Sequence, residues 1–150
     1  MIEGLTRNAA RNIFFGGSLI FFLIFVGLTA HSHYYIVTTS TDHEGITDSV
    51  RQGKHIWEEN SCINCHSLLG EGAYFAPELG NVWQRYNGIE NPEQARQALK
   101  TWIRIQPTGA EGRRQMPAYD FTEDELDALV DFLEWTSRID TQGWPPNRSG

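Results

Sequence analysis

From Asn12 to Thr41 the chain has no Asp, Glu, Lys or Arg, and from Ile13 to Thr29 it is Phe, Leu, Ile, Val and Gly with one serine and one threonine. About twenty such residues at ~1.5 Å of rise each cover the ~30 Å hydrocarbon layer of a bilayer. The stretch predicts one transmembrane helix over about residues 12–36. A cleavable leader would have a shorter apolar core, and Leu28-Thr29-Ala30 is a poor small-x-small cleavage site, so a retained anchor is expected. Arg7 and Arg11 precede it, while Asp42, Glu44 and Asp48 follow it. The positive-inside tendency then keeps the amino terminus in the cytoplasm.

Beyond Thr41 the apolar positions recur at helical spacing. Asp48 to Asn60 predicts a helix with Val50, Gly53, Ile56 and Trp57 on neighbouring faces. Pro92 to Ile105 predicts a second, capped near Asn91, with Ala95, Leu99, Trp102 and Ile103 recurring. A third begins at the capping box Thr122-Glu123-Asp124-Glu125 and carries Leu126, Leu129, Val130 and Leu133 on one face. Gly53 has no side chain, so the first and last of these helices are expected to cross closely there, near Phe132, Leu133 and Trp135. The fold class expected is all-α: residues 1–41 as a cytoplasmic amino terminus and anchor, residues 42–150 as one small domain. About 110 residues suffice for one core and not for two.

Charge narrows the partners. The chain has 12 basic and 19 acidic residues, and only Glu3, Arg7 and Arg11 precede the anchor, so the rest holds 10 and 18, a formal −8. Such a domain repels nucleic acid, which is not expected as a partner. The same charge serves solubility and equally suits the steering of a basic redox protein.

The only two cysteines lie in Cys62-Ile63-Asn64-Cys65-His66. Two thiols three residues apart, each able to add to a vinyl group, followed by an imidazole able to ligate iron, make the attachment site of a c-type haem. Structural zinc would need further Cys or His ligands, and a thioredoxin-like dithiol a βαβ context; the flanks offer neither. Apart from Met1 the one methionine is Met116, in Gly112-Arg113-Arg114-Gln115-Met116-Pro117. Met116 is the expected second axial ligand, in a loop stiffened by Pro117. His31, His33, His43 and His55 lie in interfacial or polar surroundings and are expected to ligate nothing. The domain therefore reads as a class I monohaem cytochrome c, with Trp57, Trp83, Trp102 and Trp135 packed round the porphyrin. Covalent haem attachment of this kind is completed outside the cytoplasm in bacteria, which places the domain in the periplasm and the anchor in the inner membrane.

The run CINCHSLLGEGAYFAPELGNV from Cys62 to Val82 resembles the cytochrome c subunit of the cytochrome-c-dependent bacterial nitric oxide reductases. So do ARNIFFGGS from Ala10 to Ser18, GRRQMP from Gly112 to Pro117, and DFLEWTSRIDTQGWPPN near the carboxyl terminus. The resemblance implies that a soluble periplasmic cytochrome c or cupredoxin donates electrons to this haem. They would pass to the haem b of a multi-helix catalytic subunit, where a haem and non-haem iron centre reduces nitric oxide to nitrous oxide. No catalytic residue is implied in this chain. Cys62 and Cys65 match the thioether cysteines, His66 and Met116 the axial pair, and Pro77 the proline whose carbonyl accepts the proximal imidazole N–H. Gly72 and Tyr74 match residues that supply oxygen ligands to a calcium shared with the catalytic subunit. Arg113 and Arg114 suit a haem propionate, the donor or plain solvation, and the Trp144-Pro145-Pro146-Asn147 tail suits a partner contact or an ordinary terminus. A haem-bearing subunit of a terminal oxidase and a membrane-tethered shuttle are the alternatives. The shuttle would want a long flexible linker, and only about a dozen residues separate anchor from domain.

Overall fold

The computed structural model describes residues 4–112 and 114–143; Arg113 and the Trp144–Asn147 motif lie outside the described residues. The chain divides into two compact units, Met1–Ser40 and Thr41–Gly150.

The first unit is a single helix, α1 (Arg7–Tyr35), continued by a π-type turn, Ile36–Ser40. Thr6 caps it, extended at φ −66° and ψ 149°, with its hydroxyl accepting from Ala9 N at 3.2 Å. With its π-type continuation the helix thus starts about five residues before the expected span and ends about four after it. Apolar pattern marks hydrocarbon depth and not helix ends, and the polar first turn of Arg7, Asn8 and Arg11 is fully compatible with a helix in water. No α1 side chain is buried within the chain. Among the described residues this is the one helix long and apolar enough to cross a membrane.

The second unit is mostly helical, as expected: α2 (Asp48–Glu59), α3 (Val82–Arg85), α4 (Pro92–Arg104) and α5 (Glu123–Thr136). Its departure from all-α is one small hairpin of β1 (Ser67–Leu68) and β2 (Glu71–Gly72), antiparallel with Ser67 opposite Gly72. Two-residue strands carry no periodicity, so pattern reading passes over them. Thr47 and Thr122 cap α2 and α5 through their hydroxyls, and at Thr122 the reciprocal capping box with Glu125 is complete. Asn91 precedes α4 without a side-chain cap, and Pro92 starts that helix instead.

The core forms where α2 crosses α5, the most extensive helix contact in the unit. Val50, Ile56 and Trp57 meet Leu126, Ala128, Leu129, Phe132 and Leu133, and Leu99 and Ile103 of α4 complete the cluster. A Cβ on Gly53 would overlap the carbonyl oxygen of Ala128 and lie 2.8 Å from Phe132 Cβ. The crossing thus falls at Ala128 and Phe132, with Phe132 as expected and Ala128, one turn earlier on α5, in place of Leu133 and Trp135. Charge pairs fasten α4 to α5 on the outside: Arg96 to Asp131 at 2.6 Å, and Lys100 to Glu123 at 2.7 Å and Asp127 at 2.8 Å.

Candidate functional site

A cavity of about 580 Å³, of the size that holds a cofactor, opens beside the α2–α5 crossing, walled by the chain from Ser61 to Tyr86, by α4 and by the loop that carries Met116. Cys62, Cys65, His66, Pro77 and Met116 all line it. Sequence reading thus named five residues, up to 54 positions apart, that the fold gathers at one cavity.

Local backbone geometry explains how the first three arrive there. Ser61, in the left-handed region at φ 53°, stops α2 and turns the chain into a 3-10 turn, Cys62–Asn64. Cys65 N and His66 N both donate to Cys62 O, at 3.1 and 2.9 Å, so the two thiols and the imidazole belong to one tight turn. Gly72 then packs against that turn: at φ +116°, a Cβ there would overlap His66 O.

His66 Nδ1 lies 2.7 Å from the carbonyl oxygen of Pro77. A carbonyl only accepts, so Nδ1 carries the proton and Nε2 keeps its lone pair for a metal. Burial lowers the imidazole pKa and thereby favours that neutral form, against the raising effect of the Pro77 hydrogen bond. Burial likewise pushes the Cys62 thiol up to about 11, which keeps it protonated at neutral pH. No group of three or more His, Cys, Asp or Glu side chains able to hold a metal ion occurs among the described residues.

Met116 is half-buried against the core at the cavity wall. Its loop is tied down by Gln115 Nε2 on Ala110 O at 3.0 Å and by Arg114 Nη1 on Phe75 O at 2.7 Å. The Arg114 guanidinium also sits 4.5 Å over the Phe75 ring. Arg114 is therefore a brace between the methionine loop and the 73–77 segment, a role sequence reading did not assign.

The cavity passes two tests of fit to a haem. Its wall is mainly apolar, with Leu79, Val82, Leu99, Ile103, Leu129 and Leu133 suited to a porphyrin face. Arg85 of α3 also lines it, and its Nη1 is buried without a hydrogen-bond partner, while Nη2 donates to Glu78 O at 2.7 Å. An unpartnered guanidinium N–H on a residue that lines a cofactor cavity suits a carboxylate such as a propionate. Sequence reading missed Arg85, whose only local signal was a cation in a short helix after the motif.

Two of the four tryptophans depart from expectation. Trp57 and Trp102 line the cavity, but Trp83 and Trp135 do not. Trp83 packs against Gly88, and Trp135 stacks on Phe132 at 6.5 Å while its indole N–H donates to Asp42 O at 2.9 Å. Neither His43 nor His55 lines the cavity, and His31 and His33 belong to α1. Tyr74 is 73 % exposed, its hydroxyl donating to Gly70 O at 3.2 Å.

The cytochrome c family model matches residues 50–137. Over all 150 residues, and over the whole of each relative, the chain is 67% identical to the nitric oxide reductase C subunit of Halomonas halodenitrificans and 57% identical to that of Paracoccus denitrificans. A "Cytochrome c oxidase subunit 2" of Alkalihalophilus pseudofirmus is 36% identical over 83 residues, 55% of this chain and 24% of that one. The oxidase likeness is thus confined to part of the chain, whereas the reductase likeness takes in anchor, haem motif and carboxyl terminus together. The chain belongs to the family of nitric oxide reductase C subunits, within the cytochromes c.

Proposed function

We propose that this chain is the subunit through which electrons reach a nitric oxide reductase. It takes them from a soluble periplasmic cytochrome c or cupredoxin and delivers them to the haem b of a multi-helix catalytic subunit. Nitric oxide is reduced to nitrous oxide there, at a haem and non-haem iron centre. The observation that carries this reading is the gathering of Cys62, Cys65, His66 and Met116 at one apolar cavity, in a chain alike along its whole length to the C subunits of nitric oxide reductases.

In this reading Cys62 and Cys65 hold haem c by thioethers, His66 and Met116 are its axial ligands, and Pro77 fixes the imidazole. The haem supplies a one-electron couple, whose potential sulfur ligation raises. With both axial positions taken by side chains, this chain contributes potential, position and a docking surface, and no catalytic residue. Gly72 and Tyr74, on the loop beside His66, would offer oxygens to a calcium at the interface with the catalytic subunit, as a hard cation prefers. The α1 helix anchors the chain in the inner membrane, amino terminus in the cytoplasm and haem domain in the periplasm.

Purification from membranes in mild detergent tests this. Co-purification with b-type haem and a polytopic partner, with anaerobic consumption of nitric oxide by a reduced donor, is the expected result. Emergence of the chain alone, with haem c but no such activity, would favour the tethered carrier. Arg85 offers a finer check: Arg85→Gln removes a positive charge and a propionate donor, so the haem midpoint potential is expected to fall. Redox titration against the unsubstituted protein measures it, and an unchanged midpoint would remove Arg85 from the pocket electrostatics.

A further inference from the structure

Glu78 is only 8% exposed, although it sits in a loop directly after Pro77. A carboxylate out of water is costly unless donors replace its hydration. Here the backbone N–H groups of Leu69, at 2.7 Å, and Gly80, at 2.8 Å, converge on Oε1, and that of Gly70 reaches Oε2 at 3.2 Å. Burial pushes the carboxyl's pKa up, but the Gly80 N–H, the nearby Ser67 hydroxyl and the N–H groups of Gly70 and Leu69 together more than reverse it, and the group stays below its ordinary value, ionised at neutral pH.

The donors come from two segments. Leu69 and Gly70 form the tip of the β1–β2 hairpin, both at positive φ, 53° and 87°. Gly80 lies on the run after Pro77, where a Cβ would sit 2.7 Å from Leu69 Cδ2 and 2.8 Å from Glu78 Oε1, so a larger residue there would have to displace the leucine tip and the carboxylate. Leu79 N adds a bond to Ser67 O at 2.9 Å. One carboxylate thus joins the hairpin that leads to Gly72 and Tyr74 with the segment whose Pro77 carbonyl meets His66.

We propose that Glu78 is a positioning residue for the haem iron. Its carboxylate ties the hairpin tip to the segment presenting the Pro77 carbonyl to His66, and its fixed negative charge lowers the potential of the iron that His66 holds. The inference rests on the reading of His66 as an iron ligand. It makes Glu78 the counterpart of Arg85, which meets the same residue at its backbone carbonyl and carries the opposite charge.

The hydrogen-bond pattern permits a clean separation of charge from position. Since two of the three donors converge on Oε1, Glu78→Gln can keep both through its amide oxygen while losing the charge. Glu78→Ala loses all three bonds. Both variants would be purified as the holo complex, titrated for the haem c midpoint, and examined by electron paramagnetic resonance of the oxidised haem, whose g values follow the strength and orientation of the axial ligands. Glu78→Gln is expected to raise the ratio of reduced to oxidised haem c at fixed ambient potential about tenfold, with unchanged g values. Glu78→Ala is expected to raise it at least as far and to shift the g values. A wild-type midpoint in Glu78→Gln, or wild-type g values in Glu78→Ala, would overturn the proposal; should Glu78→Ala fail to mature, Glu78→Gln alone decides. An unsubstituted complex without covalent haem c would defeat the reading of His66 itself, and this inference with it, and the spectrum reveals that before any variant is made.

Discussion

Replacing Met116 by leucine is expected to abolish the weak absorption at the red edge of the oxidised spectrum that sulfur ligation gives, with covalent haem content unchanged. The midpoint should fall by at least about 100 mV, more than tenfold in the reduced-to-oxidised ratio of a one-electron couple. Packing does not confound the result. Leucine and methionine have similar volumes, and such swaps cost less than about 1.5 kcal/mol in a core, less still at a half-buried site. The loop also keeps its own supports, since Arg114 on Phe75 O and Gln115 on Ala110 O do not involve the thioether. What is lost is the sulfur, and with it the preference for reduced iron. The only other methionine, Met1, precedes the anchor. Survival of the band in the leucine variant would therefore remove Met116 from the iron. If electrons enter through this haem, as proposed, nitric oxide consumption should fall with the potential, because a lower midpoint leaves the haem less able to accept them.

The parts of this site that are legible in the sequence are those whose chemistry demands neighbours. Thioether attachment needs two thiols and an imidazole within one turn, so Cys62, Cys65 and His66 stand out by spacing alone. Met116 stands out by scarcity, as the one methionine after the anchor. The helices α2, α4 and α5 are legible because each repeats an apolar face for three turns, and α5 also announces its start at Thr122. Residues whose role depends on what lies across a gap are hidden. Glu78 looks like an ordinary loop carboxylate until three backbone N–H groups from nine residues before to two after are seen to surround it. Arg85 looks like a surface cation until one of its nitrogens proves to be buried at the cavity without a partner. Trp83 and Trp135 suggest porphyrin contacts only because they are large, apolar and in a haem domain. Periodicity says that a side chain is buried and not against what. The ends of α1 escape apolar pattern for a related reason, since hydropathy reports the membrane and capping reports the helix.

The helix crossing that frames the cavity gives the second large effect. Gly53→Ala adds one methyl group, which in an open helix would help by about 1 kcal/mol. At this position the new Cβ would overlap the Ala128 carbonyl and crowd Phe132 Cβ at 2.8 Å. Neither obstacle is the free end of a flexible side chain, so α2 and α5 must separate along their whole contact. Overpacking of that kind costs about 1–3 kcal/mol where side chains can yield, and a backbone obstacle puts the net loss near the top of that range, about 2–3 kcal/mol. For a domain of this size the expected fall in Tm is about 10 °C or more. Gln52→Ala, one residue earlier on the exposed face of α2, should leave Tm within a degree or two. The cavity should feel the change as well. Trp57, one turn after Gly53, stands with its ring 6.3 Å from that of Phe132 and 6.3 Å from that of His66. Moving α2 outward carries Trp57 and the Cys62 turn with it, and so shifts the imidazole against the Pro77 carbonyl that orients it. Thermal melts followed by far-ultraviolet circular dichroism, with the haem absorption read in parallel, measure both consequences. A Gly53→Ala protein that melted with the unsubstituted one would mean that the two helices tolerate a wider crossing, and that the wall of the pocket is set by α4 and the methionine loop instead.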